Sequence, residues 1–244
     1  MARETRRRVP RRYVVLAGIV AIVAASERFG GPLTIDRLRA ASADGAEYAV
    51  DELRNRTAVG EIHLTFDDGP TGTTADVLDV LDRYDATAVF FPIGEQVEDH
   101  AAVLRRATDE GHRLGNHTWS HDRLVAMSPS EYDAAVGRTQ IVIERATGVT
   151  PSCLRPPGGV FDEESRARAA ADGLSIELWT VDPADWTSPG ADVIVERVVD
   201  AASDGAVVLL HDGGGDRSQT LAALDDLLFR LSSARYRFTA LPGC

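Results

Sequence analysis

Strand-like and helix-like segments alternate along this chain from Glu61 almost to its end. The first strand-like run, 61–66, alternates in polarity and is rich in β-forming residues, and six further runs follow it. The longest predicted helix begins at a capping box that includes Ser128 and Glu131, and it ends at Gly148. The predicted strands are 61–66, 87–91, 112–116, 152–155, 175–181, 206–210 and 235–240, and the other helices are 74–84, 99–110, 162–172, 190–203 and 217–232.

This alternation predicts an α/β fold, because strands that are joined by helices form a parallel sheet. Seven repeats favour a distorted, incomplete (β/α) barrel of about seven parallel strands, a TIM-like architecture. An open doubly wound sheet is the alternative, but no Gly-rich phosphate loop follows the first strand. In a barrel, reactive residues collect at the C-terminal ends of strands, so we expect the chemistry directly after the predicted strands.

The N-terminal region carries a basic cluster followed by an uncharged apolar stretch. Six arginines lie between Arg3 and Arg12, and the stretch 13–25 that follows suits a signal peptide and is short for a membrane span. We expect residues 1–26 to be a signal peptide or an uncleaved signal anchor, 27–60 a polar stalk or linker, and 61–244 one globular domain. The protein is therefore expected outside the cell or at its surface, with membrane contact only through such an anchor.

Charge and cysteine content narrow the choice of partners and chemistry. The net charge is −12 and becomes −17 without residues 1–25, which hold six Arg and one Glu. Such an acidic body repels a phosphate backbone, so nucleic acid is not an expected partner. The basic residues are all Arg, which excludes a Schiff-base lysine. Export would permit a disulfide between Cys153 and Cys244, but the sequence leaves their pairing open.

Two adjacent carboxylates, Asp67 and Asp68, follow the first predicted strand. Neighbouring anions repel, so the pair costs free energy unless a cation or a proton separates their roles. A metal on one carboxylate, with the other left as a base, would resolve that cost. An Asp-Asp-Gly-Pro surface turn is the alternative, and this short motif alone does not exclude it.

Two histidines four residues apart, His117 and His121, follow the third predicted strand. They would lie on one face if the loop begins with a helical turn, which suits two ligands of a tetrahedral metal. With Asp68 they would form a site of two histidines and one carboxylate with an open position for water. Zinc fits this set, and ligand softness leaves other divalent ions such as Co²⁺ open. The spacing alone is a weak signal, and histidines of the core or the surface are the alternative.

Three later strand ends carry further polar or flexible residues. The fourth strand leads into an Arg-Pro-Pro-Gly-Gly loop, in which prolines stiffen the backbone and glycines let N–H groups approach a ligand. An acidic and aromatic pair follows the fifth strand, and the sixth strand delivers one histidine to the rim. Exposed turns and a packed tryptophan are the alternatives. The residues concerned are Arg155, Pro157, Gly158, Asp185, Trp186, Leu209 and His211.

In this order along the chain, the five strand-end motifs resemble the polysaccharide deacetylase family, carbohydrate esterase family four. The motifs are Asp-Asp, His-x-x-x-His, Arg-x-Pro-x-Gly, Asp-Trp and Leu-x-His, and the resemblance runs from about Glu61 to Leu241. It implies that residues 61–244 form a polysaccharide deacetylase catalytic domain. It also implies that Asp68, His117 and His121 bind a divalent metal, usually zinc, and that Asp67 is the general base acting on metal-bound water.

The resemblance extends to the acid side of the site. It implies that Arg155 pairs with Asp67, that His211 protonates the departing amine, and that Asp185 orients His211. Trp186 and Leu209 would wall a pocket for the acetyl methyl group. The metal and the backbone N–H of Gly158 would hold the oxyanion, and Pro157 would line the same pocket. The family commonly has an aromatic residue where this chain has Gly158. Glycine retains the backbone N–H donor but loses the contact that the aromatic ring would make.

The expected function is metal-dependent removal of N-acetyl groups from an amino-sugar polysaccharide, either peptidoglycan or a chitin-like glycan. An O-acetyl esterase acting on a xylan-like polysaccharide would use the same machinery and is the first alternative. A wall-binding module without catalysis is a further alternative, disfavoured because Asp67 and His211 are both present.

Overall fold

The computed structural model describes residues 58–244, so the predicted signal segment and nearly all of the predicted stalk lie outside the described residues. Seven strands alternate with helices along this part. The strands are β1 Gly60–Asp67, β2 Ala88–Phe91, β3 Arg113–Leu114, β4 Cys153–Leu154, β5 Ser175–Ile176, β6 Ala206–His211 and β7 Tyr236–Phe238. The helices are α1 Gly72–Asp82, α2 Ala101–Asp109, α3 Pro129–Tyr132, α4 Arg138–Thr147, α5 Glu163–Ala171, α6 Ala191–Ala201 and α7 Ser218–Ser233.

The strands form a parallel, distorted barrel in which β1 is central. One sheet runs in the order β3-β2-β1-β6, and β7 pairs with the first residues of β1. A second sheet contains β4 and β5, and single parallel bridges, Asn116 with Leu154 and Val181 with Val208, join it to the first sheet. The predicted distorted, incomplete (β/α) barrel is confirmed, with full ladders on one side and single bridges on the other.

Alternation along β1 separates the core from the site. Ile62, Leu64 and Phe66 are fully buried and pack in one apolar cluster with the surrounding helices. Burial of each such side chain contributes roughly 1.5–3 kcal/mol. The intervening residues Thr65 and Asp67 point to the opposite face, because successive strand residues face opposite sides of a sheet. The strand therefore anchors the core and delivers Asp67 to the C-terminal edge of the barrel.

The fifth strand is shorter than predicted. The sequence indicates a strand over 175–181, but β5 ends at Ile176. The carbonyl oxygens of Glu177 and Leu178 accept hydrogen bonds from the Arg155 guanidinium, at 3.1 and 3.0 Å. The backbone beyond β5 thus bonds to a side chain, and it rejoins the barrel at the Val181 bridge.

The longest predicted helix is confirmed at both ends but is not uniform. Ser128 Oγ accepts the Glu131 N–H at 3.3 Å, and Glu131 Oε2 accepts the Ser128 N–H at 2.8 Å. Gly148 ends the segment in the left-handed conformation, with φ of 78°. Between α3 and α4 the backbone forms a π-helical turn over Asp133–Gly137. This wider turn was not predicted from the sequence.

The question of cysteine pairing is answered by the structure. Cys153 and Cys244 form a disulfide across 91 residues of sequence, with Cα atoms 4.9 Å apart. The bond fixes the C-terminal tail against an apolar cluster that includes Phe91 and Leu241. Among residues 58–244, no helix combines the length and the apolar character needed to cross a membrane.

Candidate active site

Asp68, His117 and His121 bring three ligand atoms together at the C-terminal edge of the barrel. Asp68 Oδ1 lies 3.4 Å from His117 Nε2 and 3.6 Å from His121 Nε2. Ligands of a tetrahedral zinc ion, each about 2.0–2.1 Å from it, are roughly 3.4 Å apart. Asp68 Oδ1 is buried and has no hydrogen-bond partner among the described residues. This donor set therefore fits a divalent cation, and an unpaired buried oxygen is the atom such a cation would bind.

The two histidines do not meet through a helical turn, so that condition of the prediction was wrong. Thr118 and His121 have φ values of 67° and 62°, and the loop between them contains bends rather than helix. The imidazole centroids are nevertheless 5.2 Å apart. Asp68 also adopts a positive φ, 70°. A left-handed conformation is rare for a β-branched residue such as Thr118, whereas Asp and His adopt it more readily. Such conformations concentrate at functional sites.

Neighbouring groups favour the protonation states in which Asp68, His117 and His121 can bind a metal. His117 Nδ1 lies 2.8 Å from the Arg155 carbonyl oxygen, so Nδ1 carries the proton and Nε2 keeps its lone pair. Burial raises the pKa of Asp68, but the electrostatic effect of the nearby imidazoles of His117, His211 and His121 outweighs it and holds that pKa below its ordinary value. Burial lowers the pKa of His121 despite the attraction of Asp68. An ionised carboxylate and neutral imidazoles are the forms that bind a metal.

Arg155 is a fully buried cation, and each nitrogen of its guanidinium donates a hydrogen bond. Nη1 donates to Asp67 Oδ1 at 2.9 Å and to Thr65 Oγ1 at 2.6 Å, while the other donors bond to the carbonyls that follow β5. The guanidinium carbon lies 4.2 Å from the centroid of the Phe91 ring. A buried charge costs free energy unless it is paired, and here it is paired with Asp67.

Asp67 and His211 are register partners at the ends of β1 and β6. Arg155 holds Asp67 Oδ1, whereas Oδ2 lies 3.7 Å from His117 Nε2. One oxygen is therefore fixed by the guanidinium, and the other lies nearer to His117, one of the three expected ligands. This position suits a base that acts beside the metal site.

His211 is held by a second buried carboxylate, Asp185. Asp185 Oδ1 lies 2.8 Å from His211 Nδ1, and Oδ2 accepts hydrogen bonds from the His211 backbone N–H and from Thr220 Oγ1, at 2.9 and 2.8 Å. Burial lowers the pKa of His211, but the bond and charge of Asp185 outweigh it, so that pKa lies above its ordinary value of 6.5. The pair favours a protonated imidazole, as a general acid requires.

The remaining predicted residues differ in exposure. Gly158 has φ of 63° within a 3₁₀ turn over Pro157–Gly159. A Cβ added there would meet Val160 Cγ2 at 3.9 Å and otherwise open space within 4 Å in the described part of the chain. Trp186 is 56% exposed, and Leu209 is buried on β6 two residues before His211.

Sequence reasoning missed several supporting residues. Thr65 lies two residues before Asp67, so the strand period places both on one face and could have revealed it. Thr220 lies on α7, and no local sequence signal connects it with Asp185. Asp212 is a buried carboxyl beside His211, and burial raises its pKa to about 7. Its Oδ2 accepts a hydrogen bond from Thr74 Oγ1 at 2.5 Å.

Comparisons with known proteins identify the family of this chain. The sequence pattern of the family described as Polysaccharide deacetylase matches residues 54–176. A peptidoglycan-N-acetylglucosamine deacetylase of Bacillus cereus is 39% identical over 197 residues, which cover 80% of this chain and 91% of the relative. A chitooligosaccharide deacetylase of a Bradyrhizobium species is 38% identical over 194 residues, which cover 74% of this chain and 89% of the relative.

A solved structure extends the likeness to the fold. The crystal structure of the peptidoglycan N-acetylglucosamine deacetylase Bc1960 matches with a TM-score of 0.72 at 35% identity, covering 75% of this chain and 86% of that one. The family pattern, the relatives and the shared barrel confirm the family resemblance that the sequence motifs predicted. The chain therefore belongs to the polysaccharide deacetylase family, carbohydrate esterase family four.

Proposed function

We propose that this deacetylase removes N-acetyl groups from an amino-sugar polysaccharide and depends on a divalent metal, with Zn²⁺ the best fit and Co²⁺ an alternative. The observation that carries the proposal is the register pairing of Asp67 with His211 beside the unpaired Oδ1 of Asp68. Hydrolysis of an amide needs a base for water, an acid for the departing nitrogen and a polarising centre. Asp67 would be the base and His211 the acid, and Asp68 would help to hold the divalent ion that polarises the carbonyl.

Asp67 is the proposed general base. Arg155 holds its Oδ1, which leaves Oδ2 to accept a proton from the water that attacks the acetyl carbon. A divalent ion bound by Asp68, His117 and His121 would polarise the acetyl carbonyl and lower the pKa of that water. The backbone N–H of Gly158 would donate a hydrogen bond to the oxyanion that develops on the carbonyl oxygen.

His211 is the proposed general acid. With Nδ1 held by Asp185, its Nε2–H would donate a proton to the amide nitrogen as the carbon–nitrogen bond breaks. The products are acetate and a free amine on the sugar. Asp185 stabilises the imidazolium form and fixes the ring, so the proton is present and correctly directed when nitrogen departs.

The proposed substrate is a glycan of N-acetylated amino sugars, with peptidoglycan first and a chitin-like glycan second. The relatives described above carry both names, and the peptidoglycan deacetylase covers the larger share of this chain. Peptidoglycan and chitin share the acetamido group at which Asp67 and His211 would act. The strand-end motifs alone do not distinguish the two polymers.

Acetate release from peptidoglycan, chitin oligomers and acetylated xylan would test this function. We expect release from at least one of the two acetamido glycans, its loss after chelation and its return with Zn²⁺ or Co²⁺. Asp67→Asn is the matched variant, because it retains Asp68, His117 and His121 as ligands while removing the base. Release from xylan alone would favour an O-acetyl esterase, and activity that survives exhaustive metal removal would refute the mechanism.

We also propose that the protein acts outside the cytoplasm, in the cell wall or at the cell surface. The basic and apolar pattern of residues 1–25 supports export, and the Cys153–Cys244 disulfide is of a kind that persists in oxidising compartments. Fractionation of cells that produce the full chain tests this proposal, and retention of the whole pool in the cytoplasm would contradict it.

A further inference from the structure

Asn116 lies directly before the first histidine of the metal site and is completely buried. Its backbone N–H donates to the Cys153 carbonyl at 2.9 Å, and its carbonyl accepts the Arg155 N–H at 2.9 Å. These two bonds form the bridge between the end of β3 and β4. The backbone of Asn116 is thus fixed by the barrel, and its side chain is free to organise the loop that follows.

Both donor hydrogens and one acceptor position of the Asn116 amide are used. Nδ2 donates to the Val136 carbonyl at 3.0 Å and to Gln140 Oε1 at 2.9 Å, while Oδ1 accepts the Thr118 N–H at 2.9 Å. Two acceptors on one side and one donor on the other define the amide orientation. Aspartate has no hydrogens to donate, and glutamine is one methylene too long for this site. The surroundings therefore specify asparagine.

The acceptors of Asn116 belong to the π-helical turn and the helix that follows it. In that turn the Arg138 N–H bonds to the Asp133 carbonyl, five residues back. Two successive carbonyls of the turn accept side-chain hydrogen bonds, Ala135 from Thr139 Oγ1 at 2.8 Å and Val136 from Asn116. Such π-helical turns are frequent at functional sites. Here the turn presents a carbonyl to the residue that precedes the metal loop.

On its other side, Asn116 stabilises the conformation that brings the histidines together. Thr118 has φ of 67°, which is a rare conformation for a β-branched residue. The bond from its N–H to Asn116 Oδ1 closes a local turn around His117. The Thr118 carbonyl then accepts the Gly94 N–H at 2.9 Å, which holds the loop from the opposite side.

We propose that Asn116 is a positioning residue for the metal site, which transmits the geometry of the π-helical turn 133–137 to the histidine loop 117–121. The inference rests on the proposed function, because it takes Asp68, His117 and His121 as metal ligands. Asn116 touches none of the expected ligand atoms and acts through the backbone of Thr118. Changes to such supporting residues typically weaken metal binding by about 10- to 100-fold.

Asn116→Asp is the direct test, since it keeps the shape and the Thr118 acceptor but loses both donors and faces two oxygens. Binding of Co²⁺ to the purified full chain would be measured by calorimetry, together with its visible absorption spectrum and the melting temperature of the metal-free protein. We expect cobalt affinity to fall about 10- to 100-fold, with a changed visible band. Thr139→Val is the matched control, because it removes a buried bond of the same turn that does not reach Asn116.

Gln140→Met provides a second test should Asn116→Asp fail to fold. It removes one acceptor of the Asn116 amide, so affinity should fall by roughly fivefold, the size of one net hydrogen bond. Suppose that the wild type binds cobalt. The positioning role is then overturned if Asn116→Asp retains the wild-type affinity and spectrum, or if Gln140→Met does so where Asn116→Asp fails to fold. If the wild type binds no cobalt, the metal site of the proposed function is refuted, and this inference with it.

Discussion

Asp185 holds His211 at two points, with one oxygen 2.8 Å from the ring Nδ1 and the other accepting the backbone N–H at 2.9 Å. The second oxygen also accepts the Thr220 hydroxyl. The carboxylate is buried and cannot swing away without leaving three donors unpaired, each at a cost of about 1–3 kcal/mol. The orientation of the ring and the stability of its charged form therefore have a common origin in Asp185.

Asp185→Asn should lower the pKa of His211. The folded-state pKa lies above 6.5 because Asp185 outweighs the effect of burial, and the substitution removes that negative charge. An NMR titration of the His211 ring in the metal-free protein should give a midpoint above 6.5 in the wild type and a lower midpoint in the variant. In kinetics, the limb of the rate profile on which activity falls with rising pH should move to lower pH. Equal His211 midpoints in the wild type and in Asp185→Asn would show that Asp185 does not raise the pKa of His211.

The same shift predicts a sign for the dependence of stability on pH. Because the folded-state pKa of His211 is raised, its contribution to the free energy of unfolding is fully present below pH 6.5 and is lost as pH rises through the folded-state pKa. The difference in unfolding free energy between wild type and Asp185→Asn should therefore be largest below pH 6.5 and smaller at high pH. Urea denaturation over this range measures the difference.

The loss of rate caused by His211→Ala should depend on the leaving group of the substrate. An amine departs poorly until it is protonated, whereas an aryl oxide departs without help, so the rate on acetamido sugars should fall on the order of 10²–10⁴-fold. The rate on an aryl acetate should fall much less. Steady-state kinetics of one enzyme preparation on both substrates measures the contrast. Equal losses on both would show that His211 is not the general acid.

Asp67 and Arg155 should be coupled in stability as well as in catalysis. Arg155→Met leaves Asp67 buried without its cation, and breaking such a pair costs about 3–5 kcal/mol. Adding Asp67→Asn removes the unpaired charge, so the double variant should be more stable than the sum of the single effects predicts. A double-mutant cycle by chemical denaturation measures the coupling energy, and strictly additive effects would contradict the pairing.

Sequence and structure agree where local pattern and fold rules act together. Strand-like runs in the sequence located all seven strands, and the rule for strand ends led to Asp67, His117 and His211. The conformation of the histidine loop could not be predicted, because the bonds from Asn116 to Val136 and from Gly94 to Thr118 are tertiary contacts. The early end of β5 has the same origin, since Arg155 takes the carbonyls that a longer strand would use.

Gly158→Tyr tests the position at which this chain departs from its family. The site is open, since the nearest atom to an added Cβ is Val160 Cγ2 at 3.9 Å, but φ is 63°. A residue other than glycine in this conformation costs roughly 1–2 kcal/mol, so the variant should lose about that much stability in denaturant. Gly158→Asn is the matched control, because asparagine tolerates the left-handed region.

Both variants should retain turnover, because the backbone N–H is unchanged. The tyrosine variant should alter the ratio of kcat/KM between peptidoglycan and chitin oligomers. If that ratio is the same in all three proteins, the side chain at this position does not contact the sugar, and the specificity of this enzyme is determined elsewhere on the rim.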